Sequence, residues 1–245
     1  MLDNIKIENI LFLDIETVPQ YSDYNDVPKA FQEFWEKKSS YFREEEKSAK
    51  DVYQRAGIYS EFGKIICISV GIAVSKTEER TFRLKSFFGD DEALLLKEFK
   101  EMLGKYYNSH KGLLLCAHNG KEFDFPYIAR RMLINGIKLP KILDIAGKKP
   151  WEVSFLDTME LWKFGDYKNY TSLNLLTQIF DIPTPKDDID GSMVADVYWN
   201  DKDLQRIVKY CEKDVLAIAQ LMLKYKGEEL VKAENVESTT QNKLL

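Results

Sequence analysis

The order of periodicities along the chain constrains its fold more than any other feature. Three β-type runs come first. They are Ile10-Leu11-Phe12-Leu13, the β-branched stretch from Ile65 to Val74, and the alternating stretch from Thr81 to Phe88 that ends in the turn Gly89-Asp90-Asp91. They read as an antiparallel meander. The period then changes. From Glu92 to Tyr107, Leu95, Phe99, Met102, Leu103 and Tyr106 recur at helical spacing. Leu113 to Cys116 is a short buried strand, Phe123 to Asn135 is helical and stops at Gly136, and Ser154-Phe155-Leu156 is another short strand. Helices are expected from about Ser172 to Phe180 and from about Asp201 to Tyr225. This order implies an α/β fold: a mixed central sheet, three antiparallel strands followed by parallel ones, flanked by helices.

The chain of 245 residues, 44% apolar and 31% charged, suffices for one large domain with a real core. A single domain over 1–225 is expected, with a helical insertion at about 19–63 and a polar tail over 226–245 that reads as a frayed helix end or a disordered segment. The insertion is rich in aromatics, including Tyr21, Tyr24, Phe31, Phe34, Trp35, Tyr41 and Phe42, and is too long for a plain loop. No run reaches the ~18 apolar residues of a membrane span, and the N-terminus lacks the pattern of a signal peptide. Cys67, Cys116 and Cys211 are odd in number, widely spaced and set in apolar runs, so they read as buried reduced thiols of a cytoplasmic protein. With only His110 and His118, a His-rich metal site is excluded. The formal charge of −5 argues mildly against a protein that grips nucleic acid over its whole surface.

The carboxylates carry most of the chemistry. Asp14 and Glu16 follow four apolar residues on one strand. Positions i and i+2 share a face, roughly 6.5–7 Å apart. Two like charges there call for a cation, and oxygen ligands suit Mg²⁺ or Mn²⁺. The plainer reading is a strand leaving the core into solvent. Asp124, in His118-Asn119-Gly120-Lys121-Glu122-Phe123-Asp124-Phe125-Pro126, falls where a buried parallel strand gives way to a helix. It is equally well read as a helix cap with Pro126 in the first turn. Tyr210 and Asp214 are i and i+4 on one helix face, in Tyr210-Cys211-Glu212-Lys213-Asp214, which alone could be an exposed pair. Asp157-Thr158-Met159-Glu160 has the spacing of a capping box, and His118 reads as a loop residue.

Together these pieces resemble the three motifs of the DEDD-type 3′–5′ exonucleases: D-x-E on the first strand, N-x₃-[FY]-D, and Y-x₃-D. Here they are Asp14/Glu16, Asn119 to Phe123-Asp124, and Tyr210 to Asp214. The likeness covers roughly residues 8 to 225. It is nearest to the stand-alone exonuclease-like proteins related to the proofreading domain of family-B DNA polymerases, to which Asp188-Ile189-Asp190-Gly191-Ser192 is also similar. One branch of that family has His five residues before the last Asp, and the other has Tyr four before it. Position 209 is Lys and position 210 is Tyr, which implies the tyrosine branch. The resemblance, like the element order, implies a ribonuclease-H-like fold.

The resemblance further implies a two-metal phosphodiester hydrolysis at the 3′ end of single-stranded DNA, with two Mg²⁺ or Mn²⁺ ions held by Asp14, Glu16, Asp124 and Asp214. Tyr210 would orient the attacking water. Its ordinary pKa near 10 suits positioning better than proton abstraction. Thr17 (by its backbone), Asn119 and Phe123 are candidate substrate contacts. Asn119 also fits a turn, and Phe123 fits a core position or a ring stacked on a base. Residues 111–170 carry ten basic against seven acidic residues, with Trp151, Trp162, Tyr167 and Tyr170 interleaved. They could track a strand or be a solvated mixed surface. The same chemistry on RNA, or a silent binding domain of the same fold, are the rival readings. Any polymerase or repair partner would act in trans.

Overall fold

A computed structural model describes residues 2–75, 79–109, 112–166, 170–183 and 189–240. His110, Lys111, Tyr167, Lys168 and Asp188 lie outside the described residues.

The sheet contains β1 (Ile10–Pro19), β2 (Gly63–Ser75), β3 (Arg80–Phe88), β4 (Leu114–Ala117), β5 (Leu156–Asp157) and β6 (Val236–Ser238), in the order β5-β4-β1-β2-β3-β6. β2 is antiparallel to both β1 and β3, while β4 and β5 run parallel to β1. The first five strands thus have the ribonuclease-H-like order, in agreement with the periodicities. Helices cover both faces: α2 (Glu92–Ser109) and α3 (Asp124–Ile134) on one, α7 (Leu204–Lys226) on the other. The long connections carry α1 (Lys29–Ser39), α4 (Thr158–Lys163), α5 (Leu173–Ile179) and α6 (Val194–Asp196), the last running into a π-helical turn at Val197–Asp201.

β1 sits at the centre and divides the core by the period-2 alternation of a strand. Leu11, Leu13 and Ile15 face α2 and α3, packing with Phe99, Leu103, Phe125 and Ile128. Ile10 and Phe12 face α7, packing with Val215, Ile218 and Met222. Asp14 and Glu16 continue this second face, so the alternation alone turns both carboxylates towards α7. Gly71 on β2 lets α7 come this near: a Cβ there would lie 2.4 Å from the Phe82 ring and 2.9 Å from Val215 Cγ1.

Residues 19–63 have a small core of their own, in which the fully buried Trp35 of α1 packs against Phe42, Tyr53 and Tyr59. Trp35 Nε1 donates to Ala49 O at 2.9 Å. The segment is pinned to α3, where Tyr127 donates to Gly57 O (2.8 Å) and Arg131 to Ser60 O (2.9 Å).

The reading of 226–245 as a frayed helix end or disordered polar tail is corrected for its described part. Gly227 ends α7 in the left-handed conformation, Val231 is buried and exchanges two hydrogen bonds with the Gln220 side chain, and Val236–Ser238 pairs with β3. In that part the apolar signal is sparse, chiefly Leu230, Val231 and Val236. The segment is held by backbone pairing and by hydroxyls that composition does not report.

Candidate active site

The site forms where β1, the β4–α3 loop and the first half of α7 meet. A β-bulge between Glu16 and Thr17 shifts the register with β2, so that Glu16 lies opposite Cys67 but Thr17 opposite Ile65. Bulges re-aim side chains and are common beside active sites. Asp124 opens α3. It is not the cap expected from its sequence context: Phe123 occupies the N-cap position, with no side-chain capping bond. Tyr210 and Asp214 lie on α7, whose apolar face docks on Ile10 and Phe12 further along.

The structure brings all four acids together. Glu16 and Asp124 are buried, at 7% and 3% exposure, and Asp14 and Asp214 are half-buried. Burial, then the charges of Asp124, Glu16 and Asp214, pushes Asp14 well above the usual carboxylate range. Burial followed by Asp214, Cys67 and Asp124 does the same to Glu16. Burial raises Asp124 to about 7, although its own N–H and that of Ile15 oppose the shift. Each of the four therefore feels the other three. Like charges desolvated together disfavour ionisation unless a cation joins them. Asp124 Oδ1 is buried with no hydrogen-bond partner, and an orphaned carboxylate oxygen is costly in a native fold. A divalent cation fits this set: the acids supply hard oxygen ligands, an unsatisfied acceptor and excess negative charge.

Tyr210 donates to Asp214, and burial together with Asp214, Glu16 and Asp14 raises its pKa. It therefore keeps its proton and acts as a donor. The backbone of Gly191 passes over it: a Cβ there would lie 4.0 Å from the Tyr210 hydroxyl.

The β4–α3 loop is held from below by Asp157, buried at 3% exposure. Its carboxylate caps α4 by accepting from Met159 N (3.0 Å) and Glu160 N (3.3 Å), as its spacing suggested. It also accepts from Asn119 N (2.9 Å) and Lys121 N (3.0 Å). The box is not reciprocal, because the Glu160 side chain pairs with Lys121 instead. Gly120 packs between them, where a Cβ would meet Ala117 Cβ at 2.3 Å. Asn119 adopts φ 62°, a left-handed conformation that Asn tolerates, and its Oδ1 is buried without a partner.

Phe123 is half-buried, its ring 5.3 Å from that of Tyr127 at the margin of the core. The Thr17 hydroxyl is engaged with the Tyr127 hydroxyl, so only its backbone is left for other contacts. His118 is no ligand: Nδ1 pairs with Thr158 Oγ1 and Nε2 with Thr171 O, both at 2.9 Å, and burial lowers its pKa.

Two participants were not foreseen. Cys211 points its thiol at the site, with Sγ 3.4 Å from Asp14 Oδ2. Its only sequence signal was its place beside Tyr210. The two loop bonds of Asp157 join residues 36 and 38 positions apart, which no local pattern reveals.

Residues 58–243 match the model of a family described as a predicted 3′–5′ exonuclease related to the exonuclease domain of PolB. The chain belongs to that family. A solved family B DNA polymerase from the hyperthermophilic archaeon Pyrobaculum calidifontis is similar over 88% of this chain and 24% of its own, with 14% identity and a TM-score of 0.49. This chain thus spans about a quarter of that polymerase's length. No curated protein matches the chain.

Proposed function

From this family membership and the four converging acids, we propose that the protein is a metal-dependent 3′–5′ exonuclease of the tyrosine branch, acting on single-stranded DNA. The observation that carries the proposal is the mutually repelling set Asp14, Glu16, Asp124 and Asp214, buried or half-buried, which includes an orphaned oxygen on Asp124. These residues would hold two Mg²⁺ or Mn²⁺ ions. Such ions activate water at neutral pH and offset charge on the leaving oxygen.

The chain's own residues supply the rest. Asp14, at the end of β1 facing the cleft, would serve both ions. Glu16 and Asp214 lie on the α7 side and Asp124 on the α3 side. Tyr210, protonated and anchored to Asp214, orients the attacking water by hydrogen bonding. Asn119 Oδ1 and the backbone of Thr17 would meet the terminal nucleotide, and the exposed part of Phe123 would stack on a base. The acidic total is compatible with this substrate, because much of the charge around the cleft is offset once cations bind.

The test is digestion of 3′- and 5′-labelled single-stranded DNA and RNA with Mg²⁺, Mn²⁺ or EDTA. Stepwise shortening from the 3′ end of DNA, stopped by EDTA, is expected. Digestion of RNA alone would reassign the substrate, and no digestion of either polymer would overturn the enzymatic reading.

A further inference from the structure

Cys211 makes this cleft different from an all-oxygen cation site. Its Sγ lies 3.4 Å from Asp14 Oδ2 and 3.5 Å from Asp14 O. One ligand atom each from Asp14, Glu16 and Cys211 can be chosen so that all three lie within 4.8 Å of one another. A second thiol, Cys67, sits behind them. It pairs with Glu16 across β1 and β2 and is hydrogen-bonded to Cys211. Both thiols are fully buried, so the ion would enter from the cleft past the half-buried Asp14. The buried, unpartnered Oδ1 of Asp124 belongs to the same charge cluster.

Mg²⁺ and Mn²⁺ favour oxygen, whereas a thiolate draws softer ions. Two carboxylates, one thiolate and an open fourth position form a donor set that suits Zn²⁺. We propose that Asp14, Glu16 and Cys211 form a zinc site that overlaps the Mg²⁺/Mn²⁺ position, and that zinc held there shuts the nuclease off. The second clause rests on the function proposed above. On binding, the Cys211 S–H bond breaks, its proton passes to solvent, and the sulfur's electron pair forms the Zn–S bond; no electrons are transferred. Asp14 is required by both occupancies, so they compete. Cys67 is the reserve fourth donor in place of water.

The experiment uses the whole chain stripped of metal. Cd²⁺ serves as a spectroscopic probe for zinc, because a cadmium–thiolate bond gives an ultraviolet charge-transfer band. The band is expected at one equivalent in the wild type, kept in Cys67→Ser and Cys116→Ser, and lost in Cys211→Ser. Calorimetry should show zinc binding weakened by at least about 10–100-fold in Cys211→Ser, since losing even an outer-shell partner of a ligand costs that much, with a far smaller change for Mn²⁺. Zinc should also inhibit Mn²⁺-driven digestion at lower concentration in the wild type than in this variant.

Absence of the band from the wild type, a measurement that needs no variant to fold, overturns the site. So does unchanged zinc affinity in a folded Cys211→Ser. A band without any nuclease activity leaves the zinc site standing and removes the proposed function. Binding of neither zinc nor manganese removes both.

Discussion

Two buried acidic sites in this molecule solve the same problem in opposite ways. Glu92, 7% exposed, accepts from Ile65 N (2.7 Å), Arg131 Nε (2.8 Å), Arg131 Nη2 (2.5 Å) and Asn135 Nδ2 (3.0 Å). Its cation is built into α3, and both its oxygens are used. Asp124 opens the same helix and is as deeply buried, yet one of its oxygens has no partner and its nearest charged neighbours are acids. A buried acid with an internal guanidinium is a structural joint. A buried acid among acids is stable only with a cation from solvent, which can exchange. Burial alone does not separate structure from function; the origin of the countercharge does.

The two sites should therefore fail differently. Asp14→Asn should lower nuclease activity by about 10³-fold or more, several kcal/mol of lost charge stabilisation. The metal-free variant should melt no lower than the wild type at pH 8, since one repelling charge is gone. Residual activity near wild type in a labelled-strand assay would break the contrast. Arg131→Met should do the reverse. It strands the Glu92 carboxylate and should cost about 3–5 kcal/mol in denaturant melts. Activity per folded molecule, measured well below the new midpoint, should be nearly intact.

A third expectation separates the sites by pH. Asp14, Glu16 and Asp124 have raised native pKa values, so between the ordinary carboxylate range and about 7 the native state holds more protons than the unfolded chain. Metal-free stability should then fall as pH rises through that window. Mg²⁺ binds the ionised form, so it should raise the melting temperature more at pH 8 than at pH 5. A metal-free melting temperature that rises from pH 5 to pH 8 would mean that the cluster is not strained as described. In Asp14→Asn the fall should shrink, and Arg131→Met should leave it unchanged.

How far the sequence discloses these sites depends on the range of the interactions. Period-2 alternation in Ile10–Leu13 put Asp14 and Glu16 on one face, and i,i+4 spacing joined Tyr210 to Asp214; both are local rules that the chain displays. The convergence of β1, α3 and α7 was legible only because three separate motifs implied it together. Glu92 was missed as a joint because its partner is 39 residues away, and nothing around Leu95 or Phe99 distinguishes it from a first-turn acid. Cys211 reads as a buried thiol, and at 0% exposure that is accurate; only the neighbouring strand shows that its sulfur faces Asp14. β6 was hidden because parallel pairing of three residues needs little apolar surface.

The rim of the cleft supplies a third kind of acid–cation contact and the smallest effect. Lys121 pairs with Glu160, but Glu160 is largely exposed, so both charges keep much of their hydration. Exposed pairs are worth about 0–1 kcal/mol, and salt screens them further. Lys121→Ala should therefore change stability by less than about 1 kcal/mol, and the change should vanish at high ionic strength. The loop itself should hold, because Asp157 grips the backbone N–H of residue 121, which alanine retains. Any role of Lys121 in drawing in a strand should appear as a raised KM at low salt with kcat unchanged. A fall in kcat instead would mean that the Lys121 side chain, and not Asp157, sets the position of Asp124, and the division between internally and externally neutralised acids would have to be redrawn at this loop.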